Sequence, residues 1–178
     1  MCTYITAILG AETDLPQLRQ LCANYGFGTK AIDNVSLRNL LPHGIQFLPA
    51  GGSCNCDTAL GFAQQTPYQS HDVEHDIRKL KRKGWTDTKI ERWRKNKEHS
   101  LQQKKRQPYL ELSRWKAWIN EIVGAHPVND LMIVLHFFKG TLDSELIKIK
   151  RVEKLNVETL SVEQLALLDS DVLYQFTR

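Results

Sequence analysis

The chain has 178 residues, of which 42% are hydrophobic and 25% charged, a composition typical of globular rather than disordered or fibrous proteins. No stretch approaches the ~18–20 apolar residues of a membrane span, and the N-terminus lacks the basic start and apolar core of a secretion signal. We therefore predict one cytoplasmic domain over residues 1–178, in which Cys2, Cys22, Cys54 and Cys56 are thiols or ligands rather than a disulfide framework.

A strand and a helix are predicted at the start of the chain. Residues 3–9 are β-branched and aromatic, which favours a buried strand. Thr13 or Asp14 then caps a helix that carries Pro16 in its first turn. Apolar residues recur at helical spacing up to Cys22, so we expect that thiol to pack in the core as a small hydrophobic group.

The next segment leads to a glycine- and cysteine-containing loop. We expect a short helix over residues 35–41 and a short strand over 45–48. The loop at 51–61 has the sequence Gly-Gly-Ser-Cys-Asn-Cys-Asp-Thr-Ala-Leu-Gly. Its paired glycines allow backbone amides to converge, an arrangement that can lower the pKa of a thiol or bind an anion.

Residues 70–124, which we call the basic arm, are predicted to form three helices. Gly84 ends the first helix, Thr86 caps the second, and Pro108 opens the third. The second helix has only a thin apolar stripe, whereas the third carries a continuous apolar face. We therefore expect the basic arm to be inserted into the fold as a helical arm or subdomain.

Two strands and a helix are expected to follow the basic arm. Residues 131–138 are almost continuously hydrophobic, which favours a central strand, and 146–152 alternate as a second strand of the same hairpin. Ser161 and Gln164 form a capping box for a last helix whose apolar stripe extends to Phe176. The order predicts an α+β fold: a small, mostly antiparallel sheet is covered by the first and last helices, and the basic arm is inserted.

Charge is segregated along the chain. The net charge is +4, but residues 71–118 hold 15 basic and 7 acidic residues, a net +8, while the remainder holds 9 basic and 13 acidic residues, a net −4. Such segregation indicates an anionic partner, nucleic acid first and an acidic protein second. Self-association and a merely solvated helical surface are the alternatives. The candidate contacts are Arg78, Arg82, Lys89, Arg92, Arg94, Lys95, Lys97, Lys104, Lys105 and Arg106, interleaved with Trp85 and Trp93.

The Cys54-x-Cys56 pair leaves four hypotheses open. Zinc is the candidate cofactor, because two thiolates can supply two of its four ligands. Cys2 and His43 could complete the site, as could His71 and His75, which are spaced to share one helix face. A cysteine nucleophile activated by histidine and a strained redox pair are the other chemical hypotheses. Packing of both thiols as small hydrophobic groups is the structural one.

Known sequence motifs give little further indication of function. The phosphate-binding, nucleophile-elbow and metalloprotease fingerprints are absent, so a thiol- or zinc-dependent enzyme centred on the Cys-x-Cys loop stands as the alternative to a binding protein. The N-terminal Met-Cys-Thr-Tyr, the motif Cys54-x-Cys56-x-Thr58-Ala59-Leu60-Gly61 and the Lys83-Gly84-Trp85 region resemble a group of uncharacterised bacterial proteins. That group has no known activity, so the resemblance implies no function.

Overall fold

The computed structural model describes residues 2–50, 58–61, 73–125 and 131–178, without the side chains of 73–76 and 97–107. These residues form helices and a mixed sheet, so the chain has an α+β fold. The elements in chain order are β1 (Cys2–Leu9), α1 (Leu15–Asn24), β2 (Lys30–Ala31), α2 (Val35–Leu40), β3 (Ile45–Leu48), α3 (Val73–Arg82), α4 (Asp87–Gly124), β4 (Leu131–Phe138), β5 (Arg151–Asn156), α5 (Val162–Ala166) and β6 (Val172–Thr177). None of these helices is long and apolar enough to cross a membrane.

The sheet is mostly antiparallel, as predicted. Its six strands lie in the order β2-β3-β1-β4-β6-β5. Every neighbouring pair is antiparallel except β5 and β6, which run parallel. The predicted central strand β4 is confirmed, since β4 pairs with β1 from Cys2↔Phe138 to Ile8↔Met132 and with β6 on its other edge.

Side-chain alternation divides the core between the two faces of the sheet. On the helix-covered face, Ile5, Ile133 and Tyr174 pack in one cluster with residues of α1, α4 and α5. On the opposite face, Ile8 and Val134 pack with Leu37 of α2 and with Ile147. The first and last helices therefore do contact the sheet, but the C-terminal part of α4 adds a cover that the sequence did not predict.

Local signals at the start of the chain are confirmed. Asp14 caps α1, and its carboxylate accepts a hydrogen bond of 3.1 Å from the backbone N–H of Gln17. Cys22 is fully buried, as predicted. Burial raises the pKa of the Cys22 thiol to about 11, although the Trp118 indole opposes this in part, so Cys22 stays a protonated core group.

The predicted break at Pro108 is wrong, because α4 continues through it as one 38-residue helix. A proline inside a helix removes one hydrogen bond and costs about 3 kcal/mol. On its C-terminal side, large side chains such as Trp115, Trp118 and Ile122 are fully buried. Burial of about 1.5–3 kcal/mol for each of these groups outweighs the defect.

The predicted C-terminal hairpin and the long last helix are also wrong. β4 pairs with β1 and β6, while β5 pairs in parallel with β6. The capping box of Ser161 and Gln164 is present as predicted, but α5 ends at Ala166. The chain then reverses at Asp171, which has a φ of 64°, and returns as β6 between β4 and β5.

Candidate functional site

The basic arm ends in a tight helical hairpin. We call residues 77–96, where α3 turns into α4, the arm tip. Gly84 has a φ of 76°, and its N–H donates to the carbonyl of Lys81 at 3.0 Å, as in a glycine C-cap. The N–H of Trp85 donates to the carbonyl of Leu80 at 3.2 Å. These bonds close the turn and set the two helices against each other.

A narrow apolar seam holds the arm tip together. Ile90 is buried with 5% exposure, whereas Ile77, Leu80, Trp85 and Trp93 are half-buried. Among the described side chains of α4, those in the main core cluster begin at Leu112. The described residues of the arm tip therefore contribute little to the main core, in keeping with the thin apolar stripe of the second predicted helix.

The outer surface of the arm tip is strongly cationic. It holds nine lysine and arginine residues against two acidic residues, Asp87 and Glu91, a net charge of +7. Each of the nine is exposed; they are Arg78, Lys79, Lys81, Arg82, Lys83, Lys89, Arg92, Arg94 and Lys95. The charge segregation seen in the sequence thus becomes a charged surface carried on two short, packed helical segments.

The cations of the arm tip differ in the partners they have among the described side chains. Lys81 forms an exposed ion pair with Asp87 at 3.4 Å, and the Lys89 ammonium lies 4.1 Å from the centre of the Trp85 ring.

Three other cations have no ion pair with any residue whose side chain the structure describes: Arg82, Arg92 and Lys95. The predicted contacts Arg78 and Arg94 lie on the same exposed surface.

Several predicted site residues have side chains that the structure does not describe. The side chains of Lys97, Lys104, Lys105 and Arg106 are not described, although their backbone lies in α4. The candidate zinc ligands Cys54, Cys56, His71 and His75 likewise lie outside the described side chains. The remaining described residues hold no group of three ligands suited to a metal ion. Zinc or thiol chemistry at the Cys-x-Cys loop therefore stays a prediction from the sequence.

The chain just after the Cys-x-Cys loop is firmly anchored on α4. One carboxylate oxygen of Glu111 accepts hydrogen bonds from the Thr58 hydroxyl and the Ala59 N–H, both at 3.1 Å. The same oxygen accepts the indole N–H of Trp115 at 3.4 Å. The anchoring role of Glu111 was not predicted, because Thr58 and Ala59 lie more than 50 residues away and no local pattern joins them to it.

Gly61 closes this anchored segment. Its φ is 65°, and its N–H donates to the carbonyl of Leu165 at 2.9 Å. A Cβ at this position would lie 2.4 Å from the carbonyl oxygen of Leu168 and 2.9 Å from the Leu135 side chain. Only glycine fits, both for its backbone conformation and for the space available.

A second polar cluster surrounds His136 on β4. Its Nδ1 lies 2.5 Å from Asp171 Oδ1, and its Nε2 lies 3.7 Å from Glu145 Oε1, at ion-pair distance. Lys150 Nζ lies 3.2 Å from the other oxygen of Asp171. The histidine could have been noticed from the sequence, since it shares a strand face with Val134 and Phe138, and a buried polar group needs partners.

This cluster links separate segments of the fold. The two carboxylates face opposite nitrogens of the His136 ring, so they do not converge on a point where a cation would bind. Both carboxylates are also held in other ways, Glu145 by the N–H groups of Lys139 and Gly140 and Asp171 by Lys150. The cluster thereby ties the end of β4 to the 139–150 segment and to the turn before β6.

The electrostatics of the cluster stabilise the ionised carboxylates. Burial alone would raise the pKa of Asp171, but hydrogen bonds and positive charge from His136 and Lys150 outweigh burial and hold that pKa below its ordinary value. Backbone N–H groups of Gly140 and Lys139 lower the pKa of Glu145 in the same direction. Both groups are therefore expected to stabilise the fold above the ordinary pKa of a carboxyl group, about 4.

Replacing Asp171 with asparagine should show how the stability contributed by this carboxylate depends on pH. Asparagine tolerates the left-handed backbone but loses the charge, so we expect the free energy of unfolding to fall by about 2 kcal/mol at pH 7. Because the folded pKa is lowered, the wild-type advantage should shrink as the pH falls below about 4 and through the folded pKa. Urea denaturation of both proteins across pH measures the difference, and a difference independent of pH would contradict the assignment.

Comparisons with known proteins add no further constraint. No protein-family model, curated protein sequence or solved structure matches this chain. The charges and geometry of the described residues are therefore the basis for assigning a function.

Proposed function

We propose that the chain is a small cytoplasmic binding protein that contacts an anionic partner, nucleic acid first, through the arm tip. The observation that carries the proposal is the exposure of nine cations against two acidic residues within residues 77–96. Dense positive charge of this kind attracts polyanions over distances of about 8 Å at physiological salt.

Folding requirements do not account for this surface. Among its described side chains, α4 contributes to the main core from Leu112 onward, so the charges of the arm tip are not needed to cover that part of the core. Surfaces that serve only solubility tend to mix both signs of charge. Holding like charges on two packed helices carries a repulsive free-energy cost, which a bound polyanion would relieve.

Nucleic acid is favoured over an acidic protein by the density of charge it offers. A duplex carries one negative charge per ~1.7 Å of its axis, which few protein surfaces match. The arm tip also mixes arginine with lysine, and arginine forms bidentate hydrogen bonds to phosphate oxygens. Arg82 and Arg92 are exposed and have no ion-pair partner among the described side chains.

The test is charge reversal at Arg82, Arg92 and Lys95, each replaced by glutamate. These side chains are exposed and have no described ion-pair partner, so the fold should be retained. We expect affinity for a fluorescein-labelled DNA duplex, measured by fluorescence anisotropy, to fall roughly 100-fold, because three phosphate contacts become repulsive.

A matched control reverses three exposed lysines elsewhere: Lys30, Lys148 and Lys154. The two variants have the same net charge, so a general charge effect would weaken both equally. The proposal requires the control to bind within about threefold of the wild type. Equal losses in the two variants, or no duplex binding by the wild type at low salt, would refute it.

A further inference from the structure

We infer that the nucleic acid recognised by the arm tip is double-stranded, and that it is held through its phosphate backbone without base stacking and without sequence preference. This inference rests on the proposed function and deepens it by naming the class of partner. Three features of the arm tip carry it: its aromatic side chains, its rigidity and the spacing of its cations.

The aromatic side chains of the arm tip are not presented for stacking. Proteins that bind single strands offer aromatic rings on which successive bases stack. Within residues 77–96 the aromatic side chains are Trp85 and Trp93, and both are half-buried. The Lys89 ammonium also sits over the Trp85 ring, 4.1 Å from its centre. What the arm tip exposes most fully is charge.

The arm tip is also preorganised. Its turn is closed by hydrogen bonds at Lys83 and Gly84, each donated to a carbonyl of α3 at 3.0 Å, and Lys81 pairs with Asp87 across it at 3.4 Å. A rigid array of charges gains most from a partner whose charges are also fixed, because little conformational entropy is lost on binding. A duplex, with a persistence length of about 150 base pairs, is such a partner.

Cation spacing points to the same partner. Lys89, Arg92 and Lys95 recur every third residue along α4, which places them about 4.5 Å apart along the helix axis. The other helix adds Arg82 close to the turn. Successive members of this set are rotated by about 60° around the helix axis, so the three cations spread across one side of α4 and can meet phosphate groups along the backbone of a duplex.

The experiment is a competition measured by fluorescence anisotropy on the full chain with a labelled duplex of about 20 base pairs in roughly 0.1 M salt. The unlabelled competitors are the same duplex, each of its strands alone, a duplex of unrelated sequence, and polyglutamate. We expect each single strand to compete at least about tenfold more weakly than the duplex, and the unrelated duplex to compete within about threefold.

The outcomes separate this inference from the proposed function. Single strands that compete as well as the duplex, with quenching of tryptophan fluorescence, would overturn the inference and leave nucleic-acid binding intact. A strong preference for one duplex sequence would likewise overturn it. Polyglutamate that competes as well as the duplex would overturn both the inference and the preference for nucleic acid, in favour of an acidic protein partner.

Discussion

Replacing Gly61 with alanine is expected to destabilise the fold by about 3 kcal/mol. The left-handed φ of 65° costs an alanine roughly 1–2 kcal/mol. Its Cβ would also lie 2.4 Å from the Leu168 carbonyl oxygen and 2.9 Å from the Leu135 side chain, and relieving such overpacking costs another ~1–3 kcal/mol. Urea denaturation followed by tryptophan fluorescence measures the loss.

Gly84 provides the matched control. It has a similar φ of 76°, but nothing lies within 4 Å of the position of its missing Cβ. Gly84→Ala should therefore lose only the stability that the left-handed backbone conformation costs an alanine, about 1 kcal/mol. Equal losses for the two variants would show that Gly61 is not wedged against the turn after α5.

Replacing Glu111 with alanine is expected to lower the free energy of unfolding by about 2–3 kcal/mol. The change removes one oxygen that accepts hydrogen bonds from Thr58, Ala59 and Trp115. Each partly buried donor that is left without an acceptor lowers the free energy of unfolding by about 1–3 kcal/mol, unless water reaches it. Thermal unfolding measures the loss, expected as a fall in Tm of roughly 4–12 °C.

Glu111→Gln separates hydrogen bonding from charge. The amide oxygen still accepts hydrogen bonds, so the glutamine variant should lose less than about 1 kcal/mol. If glutamine destabilises the protein as much as alanine does, the negative charge rather than the acceptor holds this segment, and the anchoring described above is wrong.

Elements with strong local signals were predictable from the sequence. β1 and β4 follow from β-branched and apolar runs, and α1 follows from Asp14 and Pro16 at its start. The charge of the arm tip was also visible, because composition alone determines it. In each case the deciding residues lie within about ten positions of one another, where local interactions dominate.

The last strand was not predicted, because the spacing of its apolar residues fits both a helix and a strand. Leu168, Val172 and Phe176 are spaced four residues apart, and side chains four residues apart share a face in a helix and in a strand alike. Tyr174, which is also buried, supports the strand. Pairing with β4 and β5 decides the structure, and such long-range pairing cannot be predicted from one segment.

The polar sites were missed for a related reason. His136 and Asp171 are 35 residues apart, and Glu111 and Thr58 are 53 residues apart. Each pair meets only because the sheet and α4 bring distant segments together. A single charged or polar residue in the sequence does not indicate which of many candidates will be its partner.

The salt dependence of duplex binding shows whether the cations of the arm tip contact phosphate groups. The observed association constant should fall with salt, and the arm-tip variant with Arg82, Arg92 and Lys95 replaced by glutamate should show a slope of log K against log salt that is shallower by about 2.7, or ~0.9 for each lost phosphate contact. The control variant at Lys30, Lys148 and Lys154 should keep the wild-type slope. An arm-tip variant with the wild-type slope would show that these cations do not contact phosphate, and would contradict the proposed function.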